Sequence, residues 1–384
     1  MDDRLFDAMS RTDEGPSTYS ESKFHYVNRS NRSYLQNART TLESWFDEYK
    51  TINKESIKDM RARFRSNDDA QHLSALTELY LHHFLIGNGY IPKTHPDLDG
   101  VDTRPDFLVF QNNKSCFFVE AVTIYNNKTS ARVDKFEANI CDAIDAVNSP
   151  DFLVSFNIKD RNPDIQPKTS GITRFLQNRI DSLDYTQAKL KYDKTGMLPK
   201  DLFSQKGWKI EFNFRPVTPE ARKRRTNNSR VIGMMGRGVS LINVDLAIKE
   251  SVIDKSKKYG EFNLPFLIAV NVIRDKAFCD DEIILDALFG KTQVDVVCYS
   301  NGSHKCNPYR SMNGIWAHPK DGLINNNISG ILFLFGLTPA TILEVKPVLW
   351  HHPKAIHPFY LDDLDIEHKY FTKESGRLMS HNKK

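Results

Sequence analysis

The 384-residue chain predicts an α/β fold, with helices flanking a mixed central β-sheet. Three observations carry that expectation. Residues 70–158 alternate signals in the order helix, strand, strand, strand, helix, strand. An Asn-Asn pair joins two of those strands as a tight hairpin, which runs antiparallel. A helix then leads from the hairpin to a further strand, as in a crossover connection.

Taken in order, residues 1–33 are rich in Ser, Asn, Asp and Arg without periodicity, and read as a loose arm. From Ser33 to Arg65 the pattern is helical, with Leu35, Leu42, Trp45, Phe46 and Tyr49 on one side. A second helix runs from Ala70 to Ile86 and stops at Gly87-Asn88-Gly89, a left-handed stop signal. Tyr90–Lys93 is a short strand. A polar loop with His95, Asp97, Asp99 and Asp102 leads to the strand Asp106–Phe110. After the Asn112-Asn113 turn comes Cys116–Ile124, β-branched and aromatic as strands are. A helix over 130–147 and a strand over Phe152–Ile158 follow. Beyond them lie a helix at Ile172–Leu183, a strand at Lys209–Phe214, a helix at Val244–Tyr259 and a strand at Pro265–Ile273. The last hundred residues mix a helix near Asp281–Leu288 with strands at Asp295–Tyr299 and Gly330–Phe335.

No repeat and no clear linker is visible, so one elaborated domain is expected in three stretches. Residues 1–69 supply the arm and N-terminal helices, 70–275 the α/β core, and 276–384 a C-terminal α+β elaboration packed on that core. Hydrophobic residues make up 40% of the chain, with 24 Phe, which is enough to bury a sizeable core. The net charge of +4 permits nucleic-acid binding without demanding it. No apolar run approaches bilayer length, and the polar start MDDRLFDAMSRTDEG does not read as a secretory leader. Five irregularly spaced cysteines (Cys116, Cys141, Cys279, Cys298 and Cys306) suit free thiols in a cytoplasmic protein. Asn127-Lys-Thr129 then carries no meaning as a glycan site.

Three acids stand out by placement. Asp106 opens a strand in Arg-Pro-Asp-Phe-Leu-Val-Phe, and Glu120 sits within the next strand, after a tight turn. Antiparallel pairing sets the start of one strand beside the end of the other, so both carboxylates can share one edge. Glu78, on the preceding helix, can lean over that edge. Carboxylates held close repel one another, and a hard divalent ion with oxygen ligands relieves this. Glu120 is the strongest clue, because Phe117, Phe118, Val119, Ala121 and Val122 surround it, and a charge in such a strand is costly unless paired or coordinating.

The order of Glu78 in SALTELYLHHF, Pro105-Asp106 in TRPDFLVF and Glu120-Ala-Val in CFFVEAVTI resembles the PD-(D/E)XK nuclease superfamily. The resemblance covers roughly residues 70–160. Later segments, KSKKYGEFNLPFLIAVN and DALFG, resemble uncharacterised bacterial proteins with the same core. It implies a restriction-endonuclease-like fold and a Mg²⁺- or Mn²⁺-dependent phosphodiesterase. It also implies Asp106, Glu120 and the Ala121 carbonyl as metal ligands, with Glu78 assisting. One departure is clear: the family places a lysine two residues after the glutamate, and Val122 stands there. That lysine orients the attacking water in the family, so a substitute must come from elsewhere or hydrolysis is lost. Lys135 is one substitute. Lys255 and Lys258 are preferred, since they precede a strand and share one helical face.

Each residue has a plainer reading. Glu78 can be a solvated residue on an amphipathic helix, and Asp106 a turn former. The lysines near 255 can be a solvated helix end. Arg222, Lys223, Arg224, Arg225 and Arg230 form a basic stretch that either contacts phosphates or is a surface loop. Gly233, Gly236 and Gly238 lack the lysine-Ser/Thr ending of a phosphate loop. Cys298, His304 and Cys306 match no standard zinc spacing. His351, His352 and His357 lie in a Pro-punctuated stretch and read as structural, and the acids of the 95–102 loop as turn formers.

The leading expectation is a DNA-cleaving, metal-dependent endonuclease, DNA being favoured over RNA. A role in restriction or phage defence rests on analogy. It would have no membrane partner and could act as a homodimer. The alternatives are an inactive nuclease-fold module that only binds nucleic acid, and a structural protein that self-associates through its aromatic C-terminal third.

Overall fold

A computed structural model describes residues 3–98, 103–125, 131–226, 229–233, 244–273, 280–300, 302–360, 363–371 and 378–382. The chain forms two compact units where the sequence suggested one domain. Met1–Glu14, Ser22–Tyr125 and Asn243–Lys384 make the first, Gly15–Glu21 and Asn126–Ile242 the second.

The first unit opens with α1 (Lys23–Arg29), α2 (Ser33–Ile52), α3 (Ile57–Phe64) and α4 (Asp69–Gly87), then β1 (Ile91–Thr94), β2 (Phe107–Gln111) and β3 (Lys114–Ile124). The second unit interrupts with α5 (Ala131–Asp145), β4 (Phe152–Asp160), α6 (Thr169–Ser182), α7 (Tyr185–Thr195), β5 (Lys200–Gln205), β6 (Trp208–Pro216) and α8 (Pro219–Arg224). The first resumes with α9 (Val244–Ser256), β7 (Phe266–Val272), α10 (Asp281–Phe289), β8 (Thr292–Cys298), β9 (His304–Arg310), β10 (Ala317–His318) and β11 (Gly322–Leu323). It ends with β12 (Gly330–Phe335), β13 (Val348–His351), β14 (Glu367–Phe371) and β15 (Leu378–Asn382).

The first unit is built on an eight-stranded sheet in the order β1-β2-β3-β7-β12-β13-β14-β15. β1–β2–β3 is an antiparallel meander, whereas β3, β7 and β12 run parallel, so the sheet is mixed and flanked by helices. β7, between two parallel neighbours, is buried at every position, and its Phe-Leu-Ile-Ala-Val run is what such a strand needs. Alternation splits the core by face. Phe117, Val119, Ala121, Leu267 and Ala269 pack with α1–α4, while Phe118, Val122, Ile268 and Val270 pack with α9 and α10.

Several expectations change. The N-terminal residues are not a loose arm throughout: Leu5 and Phe6 are buried, and α1 follows. The helix expected over 33–65 breaks at Asn53, whose amide leaves the helix to bond the Thr94 N–H (3.0 Å) and the Pro92 carbonyl (3.3 Å). The helix and strand after the hairpin do not continue the central sheet. β4 pairs with β6 in a separate antiparallel sheet, β4-β6-β5. The crossover from β3 to β7 is made by α9, with the second unit inserted before it. The C-terminal strands β12–β15 are part of the central sheet, not an elaboration on it. Among the described residues, no helix is long and apolar enough to cross a membrane.

Candidate active site

The β2–β3 hairpin sets the geometry. Asn112 and Asn113 take φ of +50° and +63°, the left-handed pair that matches the twist of a two-residue hairpin. The resulting register pairs Phe107 with Val119, which puts Asp106 beside Glu120 on the same face. The ladder of β2 stops at Phe107, and the Ala121 N–H beyond it is taken by Asp106 Oδ2 at 2.6 Å. The Asp106 N–H in turn lies 3.3 Å from Glu120 Oε2.

Glu120 is 2% exposed and shares its face with Phe118 and Val122, under α9. Both its oxygens are held. Lys255, in the last turn of α9, donates its ammonium to Oε1. The Tyr259 hydroxyl donates to Oε2 at 2.6 Å and lies 3.1 Å from the Arg104 carbonyl. Thr103 Oγ1 bonds the Lys258 carbonyl at 2.7 Å and ties the loop before Asp106 to the end of this helix.

Glu78 comes from α4, the helix on the opposite face, and is 5% exposed. Arg63 of α3 grips both its oxygens, each at 2.6 Å, in a fork-to-fork pair. Burial alone would lower the Arg63 pKa, but the Glu78 carboxylate holds it above the usual value.

The electrostatics single out Asp106. Withdrawal from water raises its pKa well above the usual carboxylate value, and the negative charges of Glu78 and Glu120 raise it further. Burial would lower the Lys255 pKa, yet Glu120 and Asp106 outweigh it and hold the amine above its ordinary value. Tyr259 is pushed up by burial and by its bond to Glu120. Three acids thus face two bases, Arg63 and Lys255, and one negative charge lacks a counterpart. Asp106, whose Oδ2 is met by the Ala121 N–H rather than by a cation, bears that deficit.

Of the residues expected in the site, the structure brings Asp106, Glu120 and Lys255 together. Glu78 lies within electrostatic reach but is committed to Arg63. Lys258 is exposed, because it lies beyond the last turn of α9, and only its backbone carbonyl is tied to the loop before Asp106. Lys135 is exposed on α5, in the other unit. Arg63 and Tyr259 were missed. Arg63 gives no local signal, since its partner sits a helix away. Tyr259 lies beyond the end of α9, so helical spacing from Lys255 does not point to it.

The basic stretch falls in the second unit, and three of its five residues are engaged there. Arg222 pairs with Asp151 and lies 4.6 Å from the Tyr185 ring centre. Arg225 bonds the Ser149 and Arg230 carbonyls at 3.1 and 3.0 Å. Arg230 bonds the Ser17 carbonyl and covers the Tyr19 ring. Lys223 and Arg224 are exposed. His95 takes φ +48° and Asp97 pairs with Arg104, so both act in the turn, while Asp99 and Asp102 lie outside the described residues. So do Asn127, Thr129, Gly236, Gly238 and Cys279. Cys298, His304 and Cys306 sit on the exposed β8–β9 hairpin. His351 bonds His368 across β13 and β14 at 2.7 Å, and His352 bonds the Ile324 carbonyl.

Among the described residues, no group of three or more His, Cys, Asp or Glu side chains is arranged to hold a metal ion. Asp106 and Glu120 are two adjacent carboxylates in a cluster short of one positive charge, though both Glu120 oxygens already accept from Lys255 and Tyr259. That set suits a single hard divalent cation, which takes one or two carboxylates and completes its shell with water or phosphate oxygens. Comparison with protein-family models, curated proteins and solved structures finds no match to this chain. The resemblance to the PD-(D/E)XK superfamily therefore rests on the quoted residues alone.

Proposed function

We propose that the first unit is a restriction-endonuclease-like core that hydrolyses phosphodiester bonds of DNA with a divalent cation. The observation that carries the reading is the meeting of Asp106, Glu120 and the Lys255 ammonium on one face, from three separate elements. Lys255 would stand in for the lysine that Val122 replaces. Asp106 and Glu120 would hold the ion, which would supply charge neutralisation at the scissile phosphate and acidify water. Lys255 holds a proton firmly, so its role is to keep a positive charge beside the attacking water and the developing phosphorane oxygens. Tyr259 fixes the Glu120 carboxylate, and Arg63 holds the Glu78 side chain in place close by.

The test is cleavage of plasmid and linear DNA with Mg²⁺ or Mn²⁺. Asp106→Asn, Glu120→Gln and Lys255→Met are each expected to lower the rate by about a hundredfold or more, the scale of one electrostatic catalytic group. Undiminished cleavage in Asp106→Asn sinks the assignment. A second reading is a binding module with no hydrolysis. It draws support from the Glu78 and Glu120 oxygens, every one of which already has a protein donor. Metal-independent binding without cleavage favours it.

A further inference from the structure

The second unit has a charge the whole-chain value conceals. Gly15–Glu21 and Asn126–Ile242 hold 21 lysines and arginines against 14 acids, a net +7, whereas the first unit carries −3. The basic excess of the protein therefore lies wholly in the inserted unit.

Its sheet packs its apolar side chains on one face. Trp208, Ile210, Phe212 and Phe214 of β6 pack inward with α5 and α6. The alternate residues of β6 face the other way, where α7 reaches only the end of the strand, its Tyr192 ring lying 5.6 Å from the Arg215 guanidinium. Register aligns Lys200 with Asn213 and Ser204 with Lys209, so the exposed cations Lys200, Lys209 and Arg215 share this outer face. Lys159, at the end of β4, joins them through Glu211 at 3.3 Å. Two acids answer these four cations: Glu211, also 3.9 Å from Lys200, and Asp160, 2.7 Å from Lys209. Asn157 and Asn213 add neutral hydrogen-bonding groups between the charges.

We infer that this basic sheet face binds the phosphate backbone of duplex DNA. Charge complementarity selects a polyanion. No outward residue on these strands is aromatic, and the Tyr192 ring beside them is already paired with Arg215, so the face offers no row of rings to stack unpaired bases. Backbone contacts by lysine and arginine are independent of sequence and position the duplex. The inference rests on the nuclease reading for its substrate, but concerns binding in a different unit from the carboxylates.

The experiment uses the full chain carrying Asp106→Asn, which keeps DNA intact, with a labelled duplex and fluorescence anisotropy across a salt series. The face unaltered, log K is expected to fall with log salt at a slope of about −3 or steeper, and equally for unrelated sequences. Adding K200Q, K209Q and R215Q is expected to reduce that slope by about 2 to 3 and to weaken binding about tenfold or more at moderate salt. K223Q with R224Q tests the rival location, and is expected to leave both quantities unchanged. The inference is overturned if the triple variant binds as before, if the Lys223 and Arg224 pair alone abolishes binding, or if anionic phosphatidylserine vesicles are bound and duplex is not. Should the triple variant fail to fold, a flat salt dependence of the parent overturns it as well. Failure of the nuclease reading shows separately, as tight salt-sensitive binding by a wild-type chain that cuts nothing.

Discussion

At Asp106, the proposed role and stability pull in opposite directions. Its folded pKa lies above its unfolded value of 3.8. An acid shifted upward contributes stability at low pH and loses it as pH rises through the folded value. At neutral pH the ionised or reluctantly protonated carboxyl is a burden, and Asp106→Asn is expected to raise the melting temperature by a few degrees while removing the proposed DNA cleavage. Lys255→Met should do the reverse, leaving Glu120 buried without its cation and destabilising the fold by about 3–5 kcal/mol. Thermal melts of the two variants beside the parent check both signs. A lower melting temperature for Asp106→Asn would mean that its bond to the Ala121 N–H outweighs the repulsion.

The hairpin is the element on which the site depends. A β-branched residue tolerates left-handed φ poorly, so Asn113→Val is expected to cost about 1–2 kcal/mol, whereas Asn113→Gly is neutral or stabilising. Denaturant midpoints measure this, and equal midpoints would show that the turn does not fix the register. This element was legible in the sequence because its signals are local: an Asn pair, alternation in β2, and an apolar run in β3 interrupted by Glu120. The same holds for the α4 boundary, where Gly89 takes φ +82°. Assignment of strands to sheets was not legible. β4 has the same pattern as a strand of the central sheet, and only its pairing with β6 places it elsewhere. β12, 63 residues beyond β7 by register, likewise pairs with it at no visible spacing. Lys255 was within reach of sequence reasoning as one of several lysines, but its choice over Lys258 depends on where α9 ends.

Across the molecule, buried neutral histidines set the response to acid. His72 and His82 on α4 and His351 on β13 are held down to about 4, chiefly by burial, from an ordinary value near 6.5. A base shifted downward contributes stability above 6.5 and loses it as pH falls towards 4. Full protonation of the unfolded chain costs about 3 kcal/mol per histidine. All three belong to the first unit, so calorimetry at pH 7 and pH 4.5 is expected to show its transition falling steeply on acidification. A transition that stays put would mean these rings titrate normally. The insertion between β3 and α9 has its own consequence. Ala121 pairs with Ala269, so during synthesis β3 must wait for a partner ~150 residues downstream. At roughly 5–20 residues per second, that is on the order of ten seconds in which the Phe-Phe-Val-Glu-Ala-Val edge lacks its neighbour. The nascent chain therefore leaves this apolar edge of β3 without its parallel partner for that interval.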